Sequence, residues 1–223
     1  MPSRLLGFYR SSVGKKIIMG VTGVILVGFV ISHVASNLLV FGDPHGLDAY
    51  AAFLRSTGKL LWAARAGLIV AVILHIDAAY QLTMRARASR PHPYGRRTAQ
   101  ASTWGARSMR WGGVLLLVFI VFHLFHFTFG NAHPSYPNFN HATVYSNVLT
   151  GFPSIWLVLF YLAAMAALGL HLYHGTAAML MSLGASHPRF TPVWRQLASV
   201  IAVLVAVGFA VIPLAVYFHW IRP

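Results

Sequence analysis

The sequence predicts an all-α integral membrane protein with five transmembrane helices, four of them forming a bundle that turns polar side chains inward. Three observations predict it. Five apolar windows are each long enough to cross a bilayer. The 223-residue chain is 57% hydrophobic, with three acids against seventeen Lys and Arg. Tryptophans sit at or near the ends of the windows. A soluble domain carries about a quarter charged residues, whereas this chain carries 9%. Basic residues that fall between long apolar runs suit a membrane surface better than nucleic acid, and no nucleic-acid partner is expected.

A helix rises about 1.5 Å per residue, so about 20 mostly apolar residues span the hydrocarbon layer. The first window, Ile17 to Val40, follows the basic segment MPSRLLGFYRSSVGKK. A signal peptide starts the same way, but here the apolar run exceeds twenty residues and reads as a retained first span. The second window runs from Leu60 to Met84, the third from Trp111 to Gly130, the fourth from Ser154 to Leu183 and the fifth from Trp194 to His219. Proline and glycine break the chain between them at GDPHG (42–46), SRPHPYGRR (89–97), AHPSYPNFN (132–140) and ASHPRFTP (185–192). No internal repeat or soluble domain interrupts this plan, so residues 1–223 form one membrane domain.

Cytoplasmic loops collect Lys and Arg. Thirteen of the seventeen basic residues fall in the N-terminal segment, the second-to-third connection and the fourth-to-fifth region. The expected orientation is therefore N-terminus inside and C-terminus outside, in the cytoplasmic (inner) membrane of a bacterium. Trp62, Trp104, Trp111, Trp156, Trp194 and Trp220 support the boundaries, because indole rings favour the bilayer interface. The chain has no cysteine. Disulfides and thiolate-bound metals or clusters are excluded within it, and any metal must use histidine or oxygen.

Six histidines lie well inside the windows: His33, His75, His123, His126, His171 and His174. Ionisable groups at such depth are costly and face a bundle interior or a cavity. A neutral histidine bonded to a neighbouring helix is the bland explanation for one of them, but four helices contributing one or two each call for a common occupant. Measured from the inner ends, His33 stands about 24 Å out, His75 about 14 Å, His123 and His126 about 18 and 22 Å, and His171 and His174 about 18 and 14 Å. The first and third spans thus supply an outer level, and the second and fourth an inner one.

Two levels with two facing helices apiece, and no cysteine or carboxylate cluster, suit two haem b groups with histidine on both faces of each iron, so the bundle is expected to bind haem. The two-haem cytochrome b of quinol:cytochrome c reductases carries two well-separated histidines on each of two helices, a spacing absent here. Di-iron membrane hydroxylases cluster HxxxH and HxxHH motifs near one face, whereas FHLFH and LHLYH offer HxxH at opposite depths. A histidine-lined transporter or channel without haem is the alternative from another class. Inverted repeats and broken midplane helices mark such proteins, and neither is evident.

The segments SSVGKKIIMGVTGVILVGFVISHVASNLLVF, AYAAFLRSTGKLLWAARAGLIVAVILHIDAAYQL and RARASRPHPYG resemble the diheme cytochrome b membrane-anchor subunit of succinate dehydrogenase and fumarate reductase. The resemblance covers nearly the whole chain and is densest over residues 11 to 97. It implies an anchor for a flavoprotein and an iron–sulfur subunit docked on the cytoplasmic face, and electron transfer through two b haems to or from a membrane quinone. Menaquinone is the quinone implied, acting near the distal haem. The three-subunit complex is open to further oligomerisation, and the direction, succinate oxidation or fumarate reduction, is left open.

The resemblance pairs His75 with His171 for the haem proximal to the iron–sulfur subunit, and His33 with His123 for the distal haem. Depth alone leaves His123 and His126, and His171 and His174, as alternatives. The family pattern selects the first of each, because SNL lies just beyond His33, Gly175 follows His171 by four residues, and Phe122 precedes His123. One departure stands out. A fumarate reductase of this family carries a glutamate two residues before the fourth-span ligand, implicated in proton movement, but here that position is Gly169 and the chain has no glutamate.

Haem propionates need cations or donors near each interface. Ser11, Ser12, Lys15, Lys16 and Arg85 are available for the inner haem, and Arg55, Lys59 and Arg65 for the outer one; Ser12, Lys16 and Arg65 are the expected contacts. Asn37, Asp48 and His126 are the quinone-binding candidates. Asp77, the one acid within a span, is expected to bond a polar neighbour such as Gln81. His45, His92, His133, His141 and His187 are expected to face water or partner subunits.

Overall fold

A computed structural model describes residues 2–89 and 104–222. The connection that carries Arg90, His92, Arg96 and Arg97 lies outside the described residues, as do the side chains of Trp104 and Arg107. The chain folds as α1 (Pro2–Arg10), α2 (Ser12–Asn37), a 3-10 turn (Leu38–Phe41), α3 (Pro44–Ser56), α4 (Lys59–Ala88), α5 (Trp104–His123), a π-helical turn (Leu124–Thr128), α6 (Val144–Thr150), α7 (Ile155–Ser182) and α8 (Thr191–Tyr217). Five helical stretches are long and apolar enough to cross a membrane: Ser12–Phe41, Lys59–Ala88, Ser108–Thr128, Ile155–Ser182 and Thr191–Tyr217. The protein is an all-helical integral membrane protein.

Local chemistry explains where the helices overrun the apolar windows. Ser11 caps α2, its Oγ accepting from the Gly14 amide at 2.9 Å, so Lys15 and Lys16 lie inside the helix instead of before it. α4 runs a turn past Met84 through Arg85 and Arg87, whose charges complement the partial negative charge at a helix C-terminus. α7 ends at Gly184 with φ +100°, where Ala185 N–H reaches the Leu180 carbonyl (3.0 Å) and Gly184 N–H the Met181 carbonyl (3.2 Å), a pattern that needs a left-handed residue.

Three helices do not follow from hydropathy. α1 precedes the first span. The GDPHG segment turns the chain only at Gly42 and Asp43. Asp43 then caps α3 by accepting from His45 N–H at 2.8 Å, with Pro44 as its first residue. Asp48 therefore lies within a helix, not in an open loop. α6 is a short helix before the fourth span.

α7 packs on α8, α5 and α2, and α2 packs in turn on α4 and α8. Gly208 permits the close α2–α8 approach, since a Cβ there would lie 2.7 Å from Val34 Cγ2. The largest buried cluster joins Phe119 of α5, Val158, Tyr161, Ala164 and Met165 of α7 and Ile212 and Val216 of α8 beneath Leu47 and Val148. α4 buries only Ala71 and Ala78 fully. Its Leu60, Ile69, Val70 and Ile73 stay exposed, as expected of a face in contact with lipid.

Polar bonds tie each end of the bundle. At the basic end, Arg85 donates to the Arg10 carbonyl (2.6 Å) and to Ser12 Oγ (3.3 Å). Lys15, fully buried, pairs with Asp77 Oδ2 at 2.7 Å. The same carboxylate accepts from Tyr9 Oη (2.8 Å), and Gln81 Nε2 donates to both of its oxygens (2.9 and 3.1 Å). Lys15 Nζ also stands 3.4 Å from the centre of the Tyr9 ring. At the far end, Arg55 donates to the His141 carbonyl (2.9 Å), Asp48 accepts from Tyr145 N–H (2.9 Å), and Tyr145 Oη donates to the Arg222 carbonyl (3.0 Å).

The Lys15–Asp77 pair joins α2 to α4, and removing one partner strands the other charge. Asp77→Asn is expected to lower the thermal unfolding midpoint of the detergent-solubilised protein by several degrees. The double variant Lys15→Met/Asp77→Asn should recover most of that loss, as followed by circular dichroism.

Candidate functional site

The bundle brings four spanning helices to two meeting points. His33 of α2 and His123 of α5 stand with ring centres 6.0 Å apart and planes at 77°. His75 of α4 and His171 of α7 stand 6.2 Å apart with planes at 56°. These are the pairs that helix depth and the family pattern put together. Neither α2 with α5 nor α4 with α7 forms an extended packed pair among the described residues. The rings meet where the backbones do not.

Aromatic packing holds the first pair. His33 stacks on Phe29 at 5.2 Å and meets Phe209 of α8 at 5.5 Å, while His123 stacks on Phe119 at 5.5 Å. Asn37, one turn beyond His33, donates Nδ2 to the His33 carbonyl at 2.7 Å and lies 3.2 Å from its Nδ1. His123 Nδ1 lies 3.3 Å from Tyr161 Oη.

At the second pair, Thr22 Oγ1 donates to the Ile18 carbonyl (2.8 Å), with the Met19 carbonyl at 3.2 Å and His75 Nδ1 at 3.1 Å. A hydroxyl has one proton. With that proton on a main-chain carbonyl, Thr22 can only accept from His75, so His75 carries its proton on Nδ1 and keeps a lone pair on Nε2. Gly23, next along α2, passes close to Met179 and His75: a Cβ there would lie 3.0 Å from Met179 Sδ and 3.9 Å from His75 Cε1. His171 Nδ1 is buried without a hydrogen-bond partner among the described residues. A cavity of about 60 Å³ beside His171 is lined by Ser108, Met109, Gly112, Ala167 and Leu170.

The other two spanning histidines take different places. His174 makes no ring contact with His75. His126 falls in the π-helical turn, where Phe129 N–H reaches back five residues to the Leu124 carbonyl at 2.8 Å. Such turns insert a residue into a helix and recur at functional sites. This one places His126 out of solvent entirely, against Phe127, Phe152 and His133, with Nδ1 2.6 Å from Tyr161 Oη.

His133 departs from the loop expectation. It is 3% exposed, with Nε2 donating to the Asn147 carbonyl (2.8 Å) and Nδ1 accepting from Ser135 N–H (3.1 Å). Phe139 covers it at 5.0 Å, and Gly130, at φ +79°, leaves room for the Phe139 ring where a Cβ would collide. His45, His141 and His187 are exposed.

The polar residues set apart for propionates divide. Lys15 is committed to Asp77 and Ser11 to its cap, and Ser12 Oγ accepts from Arg85. Lys16 is exposed, and so is Arg65, whose guanidinium lies 5.1 Å from the Trp62 ring centre. Of the quinone candidates, Asn37 bonds its own helix, Asp48 caps the start of α6, and His126 is sealed in. None of the three lines the cleft of about 650 Å³ at the far end, which is walled by Ser135, Thr150, Phe152, Pro153, Tyr217 and His219.

Sequence reasoning missed Thr22 and Tyr161. A signal for Thr22 existed: it precedes His33 by eleven residues, about three helical turns, and so shares its face of α2.

Burial depresses the His133 imidazole below its usual value of 6.5. The folded loop therefore holds it neutral where the unfolded chain would protonate it. Its contribution to stability is complete above about pH 6.5 and declines as pH falls toward the depressed value. Amide exchange over residues 130–147, corrected for intrinsic rates, should lose protection between pH 7.5 and 5, and His133→Gln should flatten that dependence. No family model, curated protein or solved structure matches the chain.

Proposed function

We propose that the chain is the membrane cytochrome b subunit of a succinate:quinone oxidoreductase. On this reading it anchors a flavoprotein and an iron–sulfur subunit and conducts electrons between them and a membrane quinone, menaquinone by family resemblance. The observation that carries the reading is the pair of histidine couples with ring centres 6.0 and 6.2 Å apart. Two imidazoles bound to opposite sides of one metal through bonds of about 2 Å have ring centres about 6 Å apart.

The donor set fits haem in a second way. Among the described residues no three His, Asp or Glu side chains converge on one point. His33 with His123, and His75 with His171, would hold a haem iron with no further ligand needed from the chain. The helices of each couple are not packed backbone to backbone, and the rings meet Phe29, Phe119 and Phe209 at one level and Met109, Ala167 and Leu170 at the other, surroundings that suit a large apolar macrocycle. Thr22 fixes the His75 tautomer with Nε2 available, the arrangement that an iron-binding histidine needs.

A bound haem supplies a one-electron couple, and histidine on both faces favours electron transfer over ligand activation. The chain's own residues do the rest. His75 and His171 hold the level nearer the basic end, where α1 and the Arg85 contacts lie. His33 and His123 hold the level nearer the far end. A quinone exchanging electrons with the second level is proposed to meet the chain at the far end, where Phe152 stands between the cleft and Tyr161 (ring centres 4.9 Å apart). The chain is expected to contain no succinate site, since it carries no flavin motif and no cysteine.

The reading is tested on chain purified from a haem-replete host. A reduced-minus-oxidised spectrum should show b-type bands, and pyridine haemochrome assay should give two haems per chain. Alanine at His33, His75, His123 or His171 should each remove one of them, while His174→Ala should keep both. A folded chain without b-type absorption would leave a histidine-lined transporter or channel in its place.

A further inference from the structure

We propose that Tyr161 is a positioning residue that assigns opposite roles to His123 and His126. Its hydroxyl makes His123 the iron-binding member and denies His126 a lone pair. The inference rests on the haem reading above and deepens it at one of the two levels.

The geometry is a hydroxyl shared between two imidazoles. Tyr161 Oη lies 2.6 Å from His126 Nδ1 and 3.3 Å from His123 Nδ1. Tyr161 is 6% exposed and His126 is fully buried, so solvent does not supply a substitute partner. One hydroxyl proton cannot serve two acceptors at once. Tyr161 therefore donates to one ring and accepts from the other. Hydrogen bonds donated by O–H are shorter than those donated by N–H, with modes of about 2.7 and 2.9 Å. The short contact is accordingly Tyr161 O–H to His126 Nδ1, and the long one His123 Nδ1–H to Tyr161 Oη.

Tautomers follow from that direction. His123 carries its proton on Nδ1 and presents the Nε2 lone pair, on the side of the ring away from Tyr161. His126 has its only lone pair occupied by the tyrosine proton, and its own proton sits on Nε2, which is buried without a hydrogen-bond partner among the described residues. A ring in that state has nothing to give a metal. His123 then meets His33 as an electron-pair donor, while His126, 5.2 Å from His133, serves as the acceptor that holds the tyrosine in place. At the other level the Thr22 hydroxyl does the same for His75, with its proton spent on the Ile18 carbonyl. In each couple one imidazole, His123 in one and His75 in the other, thus has its Nδ1 proton held by a hydroxyl carried on a neighbouring helix.

A hydrogen bond from Nδ1–H makes an axial imidazole a stronger donor to iron and favours the oxidised state. The test uses the whole chain with its haems, as wild type, Tyr161→Phe and His126→Gln, with haem content by pyridine haemochrome and potentials by optical redox titration. Tyr161→Phe is expected to raise the midpoint potential of one haem and leave the other at its wild-type value. His126→Gln keeps an acceptor for the tyrosine and is expected to retain two haems.

Two unmoved potentials in Tyr161→Phe would overturn the proposal, as would loss of one haem from folded His126→Gln. If Tyr161→Phe fails to retain haem or to fold, the haem count of His126→Gln decides: two supports the assignment and one refutes it. Wild-type chain without haem would sink the cytochrome reading itself, an outcome distinct from any of these.

Discussion

An imidazole in the hydrocarbon layer cannot be left to itself, and this constraint organises the bundle. A ring nitrogen away from water is costly without a proton donor, an acceptor or a metal, and His171 Nδ1 and His126 Nε2 are left without a hydrogen-bond partner among the described residues. Six such rings on four helices require partners at matched depths. The protein meets part of this demand with hydroxyls and amides carried on the helices themselves, at Thr22, Asn37 and Tyr161. The remaining faces of His33, His75, His123 and His171 turn to one another in two couples. Helices that bring those faces together cannot also close backbone to backbone at the same level, which explains why α7 finds its closest partner in α8 and α2 finds one in α4.

α8 takes on a role that its lack of central histidines conceals. It packs on both α7 and α2 and places Phe209 against His33, and its glycine at position 208 lets it approach Val34. The helix that contributes no candidate ligand fixes the distance between two that do. Pro213 within α8 removes one main-chain donor and frees the Phe209 carbonyl, a local irregularity beside the aromatic wall of the His33 couple.

Much of this was legible in the sequence, for identifiable reasons. Apolar length alone located the five spans, because hydrocarbon thickness imposes a minimum that few other constraints imitate. Helical rise sorts the histidines into two levels, and the folded chain brings His33 to His123 and His75 to His171. Gln81 was readable as an Asp77 neighbour from its one-turn offset. Lys15 was not, because sixty-two positions separate it from Asp77 and its neighbour Lys16 offered an equally good cation.

Short amphipathic pieces such as α1, α3 and α6 escaped a reading tuned to long apolar windows. The surroundings of His126 and His133 had no sequence signal, for different reasons. Spacing put His126 on the same footing as His123, since a π-helical turn has no hydropathy signature. A loop of Pro, Asn and Ser gave no hint that it folds back over His133.

All three aspartates are engaged within the chain. Asp43 closes the start of α3, Asp48 holds the Tyr145 amide at the start of α6, and Asp77 is taken by Lys15, Tyr9 and Gln81. All the negative charge in the chain is thus spent on holding its own parts together, and Lys15 is the one cation with a carboxylate partner among the described residues. The whole net charge of +14 must therefore be balanced by counter-ions from outside, whether lipid phosphates or acidic neighbours, and the molecule is electrically complete only in company.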